Sequence, residues 1–165
     1  MKFLGTIIIA SVLLIMSSFA IDKVFPKVDI KDLKGNTVKT EKFLDNKKVT
    51  VVSFFATWCK PCQLEMDNIS KVYGDWEEKY GVEMVAISID NSRSVSRLKT
   101  LVESKNWPYE ILLDETRKIQ SDLGFQAIPQ TFLIDKEGNI VYDHSGYETG
   151  DEKKLEEIIA KYTKM

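Results

Sequence analysis

Two cysteines, Cys59 and Cys62, are the only thiols in 165 residues, and they close the run Val51-Val52-Ser53-Phe54-Phe55-Ala56-Thr57-Trp58-Cys59-Lys60-Pro61-Cys62. The run starts as a continuous apolar stretch and ends where a helical pattern begins. Thiols separated by two residues at a helix start close into a disulfide without much backbone movement. The helix N-terminus also stabilises the thiolate of the first. Pro61 suits a first helical turn, where a missing N–H is harmless. Lys60 adds a positive charge that favours thiolate over thiol. The chemistry these residues support is redox exchange between sulfurs.

Plainer readings of the pair fit less well. A structural zinc site needs about four ligands, and the chain offers two Cys and one His, His144. A purely structural disulfide over so short a loop contributes only about 2 kcal/mol on the chain-entropy account, a poor staple for a domain of this size. Reduced, inert core thiols fit badly with Trp58, Lys60 and Pro61 around them.

A third chemical group lies one turn further on. At 100° per residue from Cys62, Met66, Ile69, Val72, Tyr73, Trp76 and Tyr80 form one stripe. Glu65 falls inside it, where an apolar residue is expected. A core-facing carboxyl there has a raised pKa and is placed to exchange a proton with Cys62. The competing reading is an acid that favours the first turn through the helix dipole and bends to solvent. Trp58, Trp107 and Tyr109 are candidates for a groove around Cys59, although packing accounts for Trp107 and Tyr109 more simply. His144, alone on a hairpin arm, reads as surface or structural.

These residues need a scaffold, and composition bounds it. Residues 1–20 read as a signal peptide or membrane anchor. Lys2 is a short positive n-region, Leu4 to Met16 an apolar h-region, and Ser18-Phe19-Ala20 a small-x-small cleavage signal. Phe3 to Ala20 is also at the lower limit for spanning a bilayer, and cleavage after Ala20 is favoured. Either way the domain of residues 21–165 is expected outside the cytoplasm. Loss of Lys2 takes the formal net charge from −2 to −3, so no basic field for nucleic acid exists. Residues 21–165 are enough for one substantial core. With two cysteines the core stands without a disulfide framework, leaving the pair free for chemistry.

The elements follow from patterning. Asp32 to Val38 is a turn between short N-terminal strands. Val49 to Ala56 is a buried strand, Cys62 to Tyr80 a helix stopped by Gly81, and Val82 to Ile89 the next buried strand, a β-α-β unit with parallel strands. Asn91 to Ser104 reads as a helix, Glu110 to Leu113 as a strand, and Thr116 to Leu123 as a short helix ended by Gly124. Thr131 to Ile134 and Asn139 to Tyr142 form an antiparallel hairpin across Asp135-Lys136-Glu137-Gly138. Thr149 with Glu152 is a capping-box signature opening a last helix, with Leu155, Ile158, Ile159 and Tyr162 inward. The fold class is α/β, a mixed central sheet flanked by helices.

Trp58-Cys59-Lys60-Pro61-Cys62 after an apolar strand, with Ile128-Pro129 just before a hairpin, resembles the thioredoxin fold. The exported signal, the N-terminal turn around Gly35 and the helix-containing insertion from Asp90 to Gly124 resemble the TlpA/ResA branch. These are exported thiol–disulfide oxidoreductases often associated with cytochrome c maturation. The resemblance spans about residues 25–163. It implies a Cys59–Cys62 redox disulfide with Cys59 as the exposed nucleophile, and it supports Glu65, since this branch has a Glu three residues after the second Cys. Thioredoxin has a buried Asp six residues before its first Cys, where this chain has Ser53. An X-Pro bond is usually trans, and Pro129 alone reads as a strand-initiating proline. The resemblance instead implies a cis Ile128-Pro129 bond against the disulfide, which leaves the Ile128 backbone free to pair with an incoming peptide beside Trp58. The function implied is reduction of protein disulfides such as apocytochrome c. No cofactor is implied, the electron donor is a membrane thiol protein, and the protein is expected to be a monomer. The alternatives are a disulfide-forming oxidase, a peroxidase and a non-catalytic binding module. Peroxiredoxins have a Thr three residues before the attacking Cys, and here Thr57 lies two before Cys59.

Overall fold

A computed structural model describes residues 23–164, so the expected signal segment lies outside the described residues. The centre of the sheet is three parallel strands, β3 (Thr50–Phe55), β4 (Glu83–Ser88) and β5 (Glu110–Leu113). Their continuous burial explains the near absence of polar alternation in their sequences. β6 (Gln130–Ile134) adds antiparallel to β3, and β7 (Ile140–Ser145) antiparallel to β6. At the opposite edge β1 (Asp29–Asp32) pairs antiparallel with β5, and β2 (Thr37–Lys39) with β1. The sheet order is β2-β1-β5-β4-β3-β6-β7.

Among the described residues four α-helices connect these strands, α1 (Glu41–Leu44), α2 (Lys60–Tyr80), α3 (Val95–Lys105) and α4 (Lys118–Leu123), and α5 (Asp151–Thr163) follows β7. α2 ends because Gly81 adopts φ 64°, a left-handed conformation that a Cβ would penalise. The two sheet faces bury different cores. On one, Phe54 packs with Phe25, Phe125 and Phe132. On the other, Phe55 meets Trp107, whose indole N–H donates to Asp67 of α2 at 2.9 Å, while the Tyr109 hydroxyl donates to Met66 O at 2.8 Å. Trp107 and Tyr109 are therefore packing residues that fasten α2 to the sheet.

Three local expectations change, and one element, α1, is new. α1 is a single turn with no periodic signal; Phe43 and Leu44 alone bury it. α2 begins at Lys60 rather than Cys62, because Cys59 is itself the N-cap. β7 continues to Ser145, since its ladder with β6 runs to Gln130↔Ser145 although Asp143-His144-Ser145 lacks apolar alternation. Thr149 does not cap α5. Gly150, at φ 108°, holds the N-cap position, and its N–H donates to Glu152 Oε2 at 3.0 Å while Glu148 N–H donates to Asp151 Oδ2 at 2.8 Å. The acidic half of a capping box is thus present, and its hydroxyl half is replaced by glycine's freedom.

Candidate active site

The site forms where β3 leaves the sheet and α2 begins. Cys59 and Cys62 are joined as a disulfide, with Cα atoms 5.4 Å apart. Cys62 N–H donates to Cys59 Sγ at 3.2 Å, so an otherwise unpaired donor of the first helical turn points at the sulfur that would carry negative charge after reduction. Cys59 is 5 % exposed and Cys62 fully buried. Cys59 was expected to be exposed and is instead buried, only slightly less so than Cys62. Ile128 O lies 3.9 Å from Cys59 Sγ, so the main chain before Pro129 sits against this sulfur. The Ile128-Pro129 peptide is cis. Trp58, 60 % exposed, and Leu64 present apolar surface at the start of α2.

The segment before the cysteines is clamped at one residue. Thr57 N–H and Oγ1 both donate to Asp90, at 2.8 and 2.9 Å, and Gln63 Nε2 donates to Thr57 O at 2.9 Å. Asp90 is buried and also accepts from Ser88 Oγ at 2.8 Å. The Thr57 hydroxyl is thereby committed to a structural partner. Asp90 and Gln63 were not singled out from sequence. An aspartate ending a buried apolar strand was the available signal, because a charge there needs partners.

Glu65 occupies the inward position expected of it. It is 4 % exposed and accepts from Ser53 Oγ and Thr131 Oγ1, each at 2.8 Å. Burial pushes its carboxyl up to about 6, the two hydroxyl donors and His144 pulling the other way. Ser53, which stands where thioredoxin has its buried Asp, serves instead as a donor to a carboxylate supplied by the helix. Thr131 was missed in the sequence, although it is the one hydroxyl in the apolar stretch Thr131-Phe132-Leu133-Ile134. Among the described residues no cluster of three or more His, Cys, Asp or Glu is arranged to hold a metal.

This is a thioredoxin fold, and a CxxC disulfide at the start of its helix defines a thiol–disulfide oxidoreductase. The chain belongs to the AhpC/TSA family, whose pattern it matches over residues 21–143. It is 31 % identical over 143 residues to the thiol-disulfide oxidoreductase ResA of Bacillus thuringiensis subsp. konkukian, covering 87 % of this chain and 79 % of that one. Among solved structures it is similar to an uncharacterized thioredoxin-like protein from Porphyromonas gingivalis. That match has TM-score 0.74 and 38 % identity, and covers 85 % of this chain and 92 % of that one. A putative thiol:disulfide interchange protein DsbE from Chlorobium tepidum shares the fold at TM-score 0.76 and 20 % identity, covering 86 % and 96 %.

Proposed function

We propose that this oxidoreductase reduces disulfides in protein substrates outside the cytoplasm, apocytochrome c being the favoured substrate type, and is itself re-reduced by a membrane thiol protein. Cys59 is the nucleophile. Its thiolate attacks one sulfur of a substrate disulfide, forming a mixed disulfide and releasing the other substrate sulfur as thiolate. The Cys62 thiol then gives its proton to the Glu65 carboxylate and attacks Cys59 Sγ. The Cys59–Cys62 bond forms, the mixed disulfide breaks, and the substrate leaves with both sulfurs reduced. A donor dithiol returns two electrons and two protons to restart the cycle.

The observation that carries this reading is Glu65, a buried carboxyl between two hydroxyls one turn after Cys62. A carboxyl poised at about 6 is mostly ionised at neutral pH yet basic enough to accept a proton transiently. Trp58 and the Ile128 backbone, beside Cys59, supply the apolar and main-chain contacts that a peptide strand needs. The extracytoplasmic setting rests on the leader read in residues 1–20.

The test is substrate trapping with Cys62→Ser in cells, where the mixed disulfide cannot resolve. Capture through Cys59 of exported proteins bearing cysteine pairs, together with insulin reduction by the wild type, is the expected result. Capture only of cytoplasmic proteins would overturn the compartment. Alkylation of Cys62 before Cys59 in the reduced protein would overturn the assignment of roles.

A further inference from the structure

The strand register builds a polar row across the sheet that the exchange chemistry above does not use. Thr131 on β6 pairs with Ser53 on β3 on one side and with His144 on β7 on the other. Directly paired residues project from the same face with their Cβ atoms about 4.5–5.5 Å apart. Glu65 accepts from the first two members of this row. His144, the third, bonds through Nε2 to Asp151 Oδ2 of α5 at 3.3 Å, and is half-exposed at the edge of the sheet. The row thus runs from the core carboxyl to solvent.

Beside it lies a small cavity of about 10 Å³ whose walls are mostly apolar, Ile69 and Leu155 among them, with Glu65, Thr131, His144 and Asp151 as polar members of the lining. That volume is about what one water molecule needs, and the lining offers it several polar partners. Neither cysteine lines it. Glu65, one turn after Cys62, therefore borders a water-sized space that it shares with His144.

We propose that His144 and Asp151 form a proton outlet for Glu65, so that the proton taken from Cys62 leaves through the cavity and not back past the sulfurs and bound substrate. The proposal rests on the role of Glu65 in the exchange cycle. In that cycle Glu65 takes up and passes on its proton as Cys62 attacks, while the bound protein still covers the Cys59 mouth. An imidazole accepts a proton on one nitrogen and releases one from the other, and Asp151 orients the ring. His144 touches no sulfur and acts only through Glu65. The charged and titratable groups around the path are Glu65 on α2, Tyr142 stacked on the His144 ring, Tyr147, and Asp151, Glu152 and Lys154 from α5. The Glu65 charge also acts on the buried Tyr109 hydroxyl, which bonds to Met66 O.

The experiment is single-turnover release of a peptide from its mixed disulfide with Cys59, followed across pH 5–9. The forms compared are wild type, His144→Ala, Glu65→Gln and the double variant. His144→Ala is expected to slow release several-fold and change the pH profile, with added imidazole restoring the rate. The double variant is expected to match Glu65→Gln. If Glu65→Gln is slow while His144→Ala matches wild type, or imidazole fails to rescue a slowed His144→Ala, the outlet is overturned and the role of Glu65 stands. If Glu65→Gln itself matches wild type in rate and profile, the role of Glu65 fails and the outlet fails with it. Thermal unfolding of each variant separates loss of fold from loss of rate, and His144→Gln repeats the test if His144→Ala is not folded.

Discussion

Glu65 and Asp114 are both buried carboxyl side chains, and they are held by opposite kinds of donor. Asp114 follows β5 and accepts from the backbone N–H groups of Lys118, Ile119 and Gln120, at 2.8, 2.9 and 3.1 Å. It caps α4 from a distance, since Arg117, in the N-cap position at φ 56°, makes no side-chain cap. Glu65 accepts from two hydroxyls. An N–H can only donate, so protonating Asp114 would forfeit bonds that nothing replaces. A Ser or Thr hydroxyl rotates and can accept from a carboxylic acid as readily as it donates to a carboxylate. Glu65 therefore keeps its hydrogen bonds in both protonation states, and Asp114 does not. Asp90 lies between them, with one N–H and two hydroxyl donors. Burial raises the carboxyls of both Glu65 and Asp114, so burial alone does not separate a proton carrier from a fastener. The donors do.

The comparison is most exposed at Asp114. Asp114→Ala leaves three N–H groups without their acceptor, and is expected to cost about 3 kcal/mol in urea unfolding. The exchange rate of the remaining folded protein should stay at wild-type level. A large fall in that rate would show that Asp114 also serves the chemistry. Asp90→Ala should combine both effects. It is expected to lose about 2 kcal/mol, because a buried N–H and two hydroxyls lose a partner. It should also slow attack by Cys59, because Thr57 no longer fixes the approach to the cysteines. Unchanged kinetics with lowered stability would place Asp90 with Asp114.

Glu65→Gln sharpens the contrast through pH. The folded carboxyl titrates at about 6, above its ordinary value of 4.5. The folded state therefore holds the proton more tightly than the unfolded chain. Its favourable contribution is full below about 4.5 and is lost as pH rises to about 6, a decline of about 2 kcal/mol. Unfolding measured at pH 4 and pH 7 should show this decline in wild type and not in Glu65→Gln. Thiol–disulfide exchange at pH 7 should fall about tenfold or more in the variant, in line with lost acid–base assistance. The smallest effect belongs to Trp58→Ala. Its exposure predicts a stability change within about 0.5 kcal/mol. Reduction of a protein disulfide should show a raised KM, while reduction of a small-molecule disulfide is unaffected. Equal effects on both substrates would remove Trp58 from the binding surface.

Much of this molecule was legible in the chain. Continuous apolar runs marked β3 and β4, and the stripe from Met66 to Trp76 with Gly81 behind it marked α2. A single acid within that stripe identified Glu65, because local periodicity alone places position 65 on the inward face. The cysteine spacing, the helix start and Pro61 set the chemistry for the same reason, since all act within one turn of backbone. The elements misjudged were those whose reasons are not local. α1 exists because Phe43 and Leu44 meet the core, and the last residues of β7 are strand because β6 lies beside them. Thr149 lost its capping role to the conformational freedom of Gly150. The donors that define Glu65 come from two other strands, Ser53 on β3 and Thr131 on β6, far apart in sequence. Asp90 reaches Thr57 across 33 residues. The sequence by itself determined which groups react and which carboxyl turns inward. Only the tertiary structure decided what each buried carboxyl is bonded to, because hydrogen-bond partners are chosen by strand register and not by spacing along the chain.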